Sequence, residues 1–343
     1  MKMRLHPFDL RLAHRFTISR GSIDVQPTLI VALEDQGLVG WGEATANDYY
    51  GHTVASMTEH LERLRSTIEA TVWSEPAELH GAIQDSLAGD PFALCALDQA
   101  AHDLWGKRHG RATLELFGGS FDMPRPDSNF TIGLDRIETM VAKLRETPDW
   151  PCYKVKLGTA DDVAIIERLR RETAVPFRVD ANGGWTVDEA IDRIGRLAAL
   201  EVELIEQPLH ADAIDRIAQV RRATSLPLIA DENCQVFEDV RRCADAGFTG
   251  INIKLVKCGG MTVARRMIDQ ARQLGLQVMI GCMTESSVGI SAIAQFLPWL
   301  DFVDMDGAAL LAGDVADGVV VERGVCRYPS RLGNGVIGLR PGV

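Results

Sequence analysis

An alternation of apolar, strand-like runs with helical stretches constrains the fold of this chain more than any other feature of its sequence. The predicted strands end near Gly133, Lys156, Asp180, Glu206, Asp231, Lys254, Cys282 and Asp304. From Lys156 onward these ends are spaced about 25 residues apart, with a range of 22 to 28. A near-constant period of this kind is typical of βα units. Eight such strands predict an α/β protein with a closed parallel barrel.

The first third of the chain has a different pattern. It contains three strand-like and three helical segments, at residues 2–12, 28–34, 39–44, 53–71, 75–88 and 91–109. Three strands followed by three helices predict an α+β module. Between its first two strands, residues 16–22 are polar and contain a glycine, which predicts a loop.

The ends of the barrel region are marked by turn-forming residues and by a change of pattern. Prolines and turn formers cluster near residues 121–127, and after residue 314 the sequence returns to short β-like runs. We therefore divide the chain into residues 1–125, 126–313 and 314–343. We expect the last segment to pack back on the first.

Composition excludes several classes of partner. The chain has 36 basic and 48 acidic residues, a net charge of −12, which argues against nucleic acid or an anionic membrane. Its seven cysteines lack metal-knuckle spacing, which favours reduced thiols in a cytoplasmic protein. The N-terminus has no signal-peptide pattern, and the longest uncharged stretch is too short for a membrane span. We also expect a homo-oligomer, whose number of copies the sequence does not fix.

Two lysines share one face of the strand that ends at Lys156. Side chains alternate along a strand, so Lys154 and Lys156 point the same way while Tyr153 and Val155 point the other. Two ammonium groups inside an apolar strand need compensation, for example from a carboxylate cluster or a metal site. The alternative is an edge strand with two solvated lysines.

Three carboxylates follow on the next three strands. Asp180, Glu206 and Asp231 end consecutive strands, and the carboxyl ends of barrel strands form one face. Three carboxylates without a histidine favour Mg²⁺ over zinc. Asn182 and Glu232 flank these residues and are candidates for orienting them, although both would also be ordinary loop residues.

Lys156 and Lys254 are predicted to lie on opposite sides of this metal site. They end the second and sixth of eight strands, and strands four apart face each other across a closed barrel. One amine on each side of a chelated substrate suits removal of a proton α to a carboxylate and its return on the other face. The alternative for Lys254 is a lysine that only neutralises the carboxylates.

The last barrel strand ends in an acidic pair. Asp304 and Asp306 are two residues apart, so both carboxylates face the barrel mouth and would bind a cationic group of the substrate. A solvated acidic strand end is the alternative. Thr131 on the first strand and Thr284 after the seventh are weaker candidates for contacts with the substrate.

These residues together resemble the motifs of a known family, the enolase superfamily and in particular its muconate-lactonising subgroup. The matching motifs are Lys154-x-Lys156, Asp180-x-Asn182, Glu206-Gln207-Pro208, Asp231-Glu232 and Lys254. The resemblance covers nearly the whole chain. It implies Mg²⁺, abstraction of an α-proton from a carboxylate, and a modified TIM barrel of the (β/α)7β type. It also implies that the N-terminal third and the C-terminal tail form a capping domain.

Within this superfamily, Asp304-Met305-Asp306 is similar to the motif with which dipeptide epimerases hold the substrate's α-ammonium group. The resemblance implies that the metal and Lys154 hold the C-terminal carboxylate while Lys156 and Lys254 exchange the α-proton of the C-terminal residue. Arg20 resembles the arginine that meets a glutamate side chain in the Ala-Glu epimerases. We therefore expect an L-Ala-D/L-Glu epimerase that would suit murein peptide metabolism.

Other activities stay open at this point. One alternative is an epimerase of hydrophobic or cationic dipeptides, and others are an N-acyl amino acid racemase, an o-succinylbenzoate synthase or a muconate cycloisomerase. The acidic pair argues against these last three, because their substrates lack the cationic group. A non-catalytic scaffold protein that keeps the metal site is an alternative from a different class.

Overall fold

The computed structural model describes residues 1–18 and 21–342. The N-terminal part begins with an antiparallel sheet of three strands, β1 (Lys2–Ile18), β2 (Gly21–Asp35) and β3 (Leu38–Thr45), in that order. The described part of segment 16–22 is strand, not the loop we predicted, because Phe16 pairs with Ile23 and Ile18 with Gly21. Strand pairing uses backbone groups, so polar side chains that face solvent do not prevent it.

Four helices follow this sheet, at α1 (Val54–Ala70), α2 (Pro76–Ile83), α3 (Pro91–Arg108) and α4 (Thr113–Leu116). Local sequence sets their starts: Thr53 forms a capping box with Ser56, and Asp90 accepts a hydrogen bond from the backbone of Ala93. Helix α3 is buried along most of its length and packs closely on β3. At Gly42 an added Cβ atom would meet the main chain of Ala96, so this close approach requires glycine.

Eight parallel strands form the barrel, in chain order around the sheet. They are β4 (Phe130–Ile132), β5 (Tyr153–Lys156), β6 (Phe177–Asp180), β7 (Val202–Glu206), β8 (Leu228–Ala230), β9 (Gly250–Ile253), β10 (Gln277–Gly281) and β11 (Phe302–Asp304). A parallel bridge between Ser128, two residues before β4, and Val303 of β11 closes the ring. Each strand ends within one residue of its predicted position.

At least one helix connects each barrel strand to the next. The helices are α5 (Ile137–Glu146), α6 (Asp162–Arg170), α7 (Val187–Ala198), α8 (Ile217–Arg222), α9 (Asp239–Ala246), α10 (Leu255–Cys258), α11 (Met261–Gln273) and α12 (Ser287–Ala294). In α7, for example, Ala190, Ile194 and Leu197 are buried, at the spacing of one helical face. After β11 comes only a 3-10 turn, Gly307–Leu310. Seven helical connections between eight strands confirm the predicted (β/α)7β barrel.

The C-terminal tail forms two short antiparallel pairs. Strand β12 (Ala316–Asp317) pairs with β15 (Gly338–Leu339), and β13 (Val320–Glu322) pairs with β14 (Val325–Arg327). The tail also reaches α3 and α4: the backbone N–H of Asn334 donates to Asp103, and the hydroxyl of Thr113 donates to the Asn334 side chain, both at 2.7 Å. These contacts tie the end of the chain to the N-terminal module.

All seven cysteines lie in the described part of the chain, and each is a buried free thiol. Among the helices of residues 1–18 and 21–342, none has the length and apolarity that a membrane span requires.

Candidate active site

Three carboxylates meet at the C-terminal face of the barrel. Asp180 ends β6, Glu206 ends β7 and Asp231 follows β8, and one oxygen of each lies within 4.8 Å of the others. The parallel register explains this meeting, since Asp180 pairs directly with Glu206 across β6 and β7. All three are buried, which brings three acidic groups together away from bulk water.

The three carboxylates have different pKa values because their surroundings differ. Burial, with a further contribution from Asp180, raises the pKa of Glu206 to about 7. Burial also acts to raise the pKa of Asp180 and of Asp231, but the neighbouring lysines outweigh it and hold both values below the ordinary one. The site therefore holds at least two negative charges at neutral pH, close enough to repel each other.

The donor set fits Mg²⁺. Glu206 accepts a hydrogen bond from the Asn252 side chain at Oε1, 2.8 Å away. Its buried Oε2 lies 2.7 Å from the Lys154 ammonium but receives no well-directed hydrogen bond. An acceptor of this kind among three carboxylates, with no nitrogen or sulfur ligand in the triad, suits a hard divalent cation.

Lys156 and Lys254 lie at the two ends of this row of carboxylates. The Nζ of Lys156 is 2.6 Å from Oδ2 of Asp180, and the Nζ of Lys254 is 3.8 Å from Oδ2 of Asp231. Lys254 also donates to the backbone oxygen of Cys282 at 3.0 Å. Burial alone would lower the pKa of Lys254, but the charge of Asp231 outweighs it and raises that pKa. Lys156 ends β5 and Lys254 follows β9, four strands further round the eight-stranded ring.

Lys154 is buried beneath the site rather than exposed in it. Its ammonium lies 2.7 Å from Asp304, 2.7 Å from Glu206 and 3.5 Å from Asp180. Burial opposes its charge, but these carboxylates outweigh it and raise the pKa of Lys154 well above its usual value. The compensation expected for two lysines on one strand is therefore provided by carboxylates from three other strands.

Asp304 and Asp306 are held at the end of β11 by residues of the first barrel strand and the segment before it. Asp304 accepts from the side chain of Asn129 at 2.8 Å, and Asp306 accepts from the backbone N–H of Thr131 at 2.5 Å. The Thr131 hydroxyl lies 3.4 Å from Asp304 and 3.3 Å from Asp306. Burial and the charge of Asp304 raise the pKa of Asp306 to about 8, whereas Lys154 and other lysines outweigh burial and lower the pKa of Asp304.

The remaining predicted site residues differ in how close they lie to the three carboxylates. The backbone N–H of Asn182 donates to Asp180 at 2.9 Å, from a left-handed backbone conformation with φ of 46°. Glu232 is buried directly after Asp231, and Thr284 is buried in the loop after β10. Arg20 lies outside the described residues.

Three residues contact Glu206 or Asp231 but were not predicted as site residues. Lys257 lies 2.6 Å from Asp231, Asn252 contacts Glu206, and the Gln207 side chain accepts from the backbone N–H of Asp231 at 3.0 Å. Gln207 and Asn252 stand within two residues of predicted site residues, and Lys257 is one helical turn after Lys254. Their short distance in sequence from the predicted site residues is the signal that could have identified them.

The loop between β3 and α1 reaches the same face of the barrel from the N-terminal module. Its Tyr50 is largely buried, which raises the pKa of its hydroxyl to about 12, while the charge of Lys257 acts in the opposite direction. The side chain of Asn47 contacts Met283, in the loop after β10, at 4.0 Å. This module therefore covers the barrel mouth, next to Asp231 and Lys257.

Two family models match the sequence along most of its length. The model described as the N-terminal domain of mandelate racemase / muconate lactonizing enzyme matches residues 5–118. The model described as enolase C-terminal domain-like matches residues 136–337.

Several named relatives are similar to this chain over nearly its whole length. An L-Ala-D/L-amino acid epimerase of Flavobacterium johnsoniae is 49% identical over 336 residues, covering 98% of this chain and 99% of the relative. The substrate-liganded structure of the L-Ala-D/L-Glu epimerase from Bacillus subtilis matches with a TM-score of 0.93 at 27% identity, covering 99% of this chain and 100% of that one. A dipeptide epimerase from Enterococcus faecalis, complexed with Mg and L-Leu-L-Tyr, matches with a TM-score of 0.90 at 27% identity and covers 98% of both chains.

Proposed function

The chain belongs to the mandelate racemase / muconate lactonizing enzyme family of the enolase superfamily, and we propose that it is a Mg²⁺-dependent dipeptide epimerase. It inverts the α-carbon of the C-terminal residue of a dipeptide by transfer of a proton between two bases. Residues 126–313 form the catalytic barrel, and residues 1–125 and 314–343 form the cap that covers it.

The placement of Lys156 and Lys254 carries this proposal. Each lies against a different end of one row of carboxylates, on strands four apart in a ring of eight. A substrate seated over the carboxylates has one amine on each face of its α-carbon. One lysine removes the α-proton and the other delivers a proton to the opposite face, so the configuration inverts.

Asp180, Glu206 and Asp231 would hold the metal ion. Mg²⁺, when bound, supplies positive charge that offsets the negative charge developing on the substrate carboxylate as the α-proton leaves. Asn182 and Glu232 lie next to the ligands and orient them. Lys154 adds a buried positive charge beneath the same position, and it assists in holding the substrate carboxylate through that charge.

The amino terminus of the dipeptide binds at the acidic pair. Asp306 and Asp304 lie at the mouth of the barrel beside Thr131, and an ammonium group would make charge-assisted hydrogen bonds there. The anionic N-acyl group of a succinyl amino acid would be repelled by the same carboxylates. This site therefore favours a free dipeptide over the substrates of a racemase or cycloisomerase.

Which dipeptide the enzyme prefers depends on the residue at the first position and on the side chain at the C-terminal position. The Flavobacterium relative carries the name of an L-Ala-D/L-amino acid epimerase and the Bacillus one that of an L-Ala-D/L-Glu epimerase, which supports alanine at the first position. We assign Arg20 to the carboxylate of a C-terminal glutamate and Thr284 to a weaker contact. L-Ala-D/L-Glu is the favoured substrate, in murein peptide metabolism, with the enzyme acting as a cytoplasmic homo-oligomer.

A dipeptide library incubated with the enzyme and Mg²⁺ in D₂O tests this function. We expect a mass gain of one deuterium, with highest rates for L-Ala dipeptides and L-Ala-L-Glu first among them. An Arg20→Ala variant should slow L-Ala-L-Glu more than L-Ala-L-Leu. Absence of exchange on every dipeptide, with exchange on N-succinyl amino acids, would show a racemase instead. Absence of exchange on both, with Mg²⁺ still bound, would show a non-catalytic metal-binding protein.

A further inference from the structure

Lys257 is a buried lysine next to the metal site that the mechanism above does not use. It lies on α10, the single helical turn directly after Lys254, and its side chain is fully buried. Its ammonium donates both to the backbone oxygen of Asp231 and to the side-chain oxygen Oδ1, each at 2.6 Å. A lysine without access to water keeps its charge only where a carboxylate compensates it, and here that carboxylate is Asp231.

The two hydrogen bonds from Lys257 fix the direction of the Asp231 carboxylate. Because Oδ1 and the backbone oxygen are bound to the same ammonium, rotation of the carboxylate would break one of two short contacts. The other oxygen, Oδ2, is the one that faces Lys254 at 3.8 Å. The Gln207 side chain accepts from the Asp231 backbone N–H at 3.0 Å and fixes the main chain as well.

The short helix that carries Lys257 is itself held in place. It ends after one turn because Gly259 has a positive φ of 86°, and Gly260 follows with a φ of 116°. Gly260 lies against Asp98 of α3, where an added Cβ atom would clash. Asp98 also accepts from the backbone N–H of Thr262 at 2.9 Å. Lys257 therefore projects from a segment that the N-terminal module and the barrel hold between them.

We propose that Lys257 is a positioning residue that holds Asp231 in the orientation needed to bind the metal ion. This inference rests on the proposed function, since it takes Asp231 as a metal ligand. Residues that hydrogen-bond to a ligand of a metal typically account for a factor of about 10 to 100 in metal affinity.

The test measures the Mg²⁺ dissociation constant of metal-free protein by titration calorimetry, for the wild type and for Lys257→Met and Lys257→Arg. Lys107→Met is the matched control: the Lys107 ammonium lies 2.7 Å from Asp103 and donates to the backbone oxygen of Val39 at 2.7 Å, and neither partner is one of the three carboxylates. We expect Lys257→Met to weaken Mg²⁺ binding about 10- to 100-fold. Lys257→Arg should recover part of the loss, and Lys107→Met should bind Mg²⁺ as the wild type does.

Wild-type affinity in a folded Lys257→Met protein would overturn the inference, as would an equal loss of affinity in Lys107→Met. If Lys257→Met does not fold, Lys257→Gln decides by the same titration, because glutamine keeps one donor for the backbone oxygen. Failure of both to fold, while Lys107→Met folds, would show a structural role and contradict the assignment. Failure of the wild type to bind Mg²⁺ would instead refute the proposed metal site.

Discussion

The ammonium nitrogen of Lys154 lies 2.7 Å from Oδ2 of Asp304, and this ion pair joins the second barrel strand to the eighth. Both groups are buried, so Asp304 already has a cation as its partner. Asp306, by contrast, receives hydrogen bonds from Thr131, and among the described residues no salt bridge links it to a cation. The two aspartates of one motif therefore differ in their contacts, and we propose that Asp306 is the main partner of the substrate ammonium.

This difference predicts distinct effects of two substitutions. Asp306→Asn should raise the KM for L-Ala-L-Glu by roughly 10- to 100-fold with little change in kcat, since a charge-assisted hydrogen bond to the substrate is lost. Asp304→Asn should lower kcat as well, because it leaves Lys154 with one carboxylate fewer beside the metal site. N-acetyl-L-Ala-L-Glu, which lacks the ammonium, is the control substrate. An equal effect of Asp306→Asn on both substrates would contradict the assignment.

Removal of the metal should abolish activity and leave the fold intact. Treatment with EDTA followed by gel filtration should give an inactive protein with unchanged far-UV circular dichroism, and added Mg²⁺ should restore the rate. Because the ion binds only the folded state, Mg²⁺ at 100 times its dissociation constant should stabilise the protein by about 2.7 kcal/mol. The measurement is the melting temperature with and without Mg²⁺.

Glu206→Gln provides the control for metal binding. It replaces one ligand at nearly constant volume, so the stabilisation by Mg²⁺ should become much smaller in this variant. Full activity of the EDTA-treated wild type, or an equal Mg²⁺ effect in Glu206→Gln, would argue against the proposed metal site.

The raised pKa of Asp306 predicts a pH dependence of stability. The value is about 8 in the folded protein against an ordinary value of 3.8, so between these limits the folded state binds a proton that the unfolded state has lost. Stability should therefore fall as the pH rises from about 4 to about 8, by at most about 1.4 kcal/mol per pH unit, and level off above pH 8.

Thermal melts of metal-free wild type and Asp306→Asn at matched pH values isolate this effect. The asparagine does not titrate, so the wild type should lose stability relative to the variant across this window. A constant difference between the two proteins from pH 5 to pH 9 would show that Asp306 keeps an ordinary pKa.

Much of the fold follows from the sequence because the period of the barrel units is visible in it. In a parallel barrel the carboxyl ends of all strands lie at one face. Charged residues at the ends of β5 to β9 therefore come together at that face once the barrel closes. The family and the (β/α)7β fold are confirmed. The long pairing of β1 with β2 was not predicted, because it depends on backbone hydrogen bonds that polar side chains do not reveal.

The ion pairs and hydrogen bonds within the site could be predicted less well from the sequence. Lys154 was predicted to hold the substrate carboxylate, but its immediate partners are Asp304 and Glu206, and those contacts depend on how far each side chain reaches across the barrel. Lys257 was missed because its direction is set by a helix of a single turn, which has too few residues to show periodicity. The role of Arg20 stays a prediction.

Proton exchange by two single-lysine variants tests the central claim most directly. L-Ala-L-Glu and L-Ala-D-Glu are each incubated in D₂O with Lys156→Ala or Lys254→Ala, and the α-proton of the C-terminal residue is followed by NMR. Neither variant should epimerise its substrate, and each should exchange only the epimer whose proton faces its remaining lysine. Inversion by either variant, or exchange of the same epimer by both, would contradict a mechanism with one base on each face.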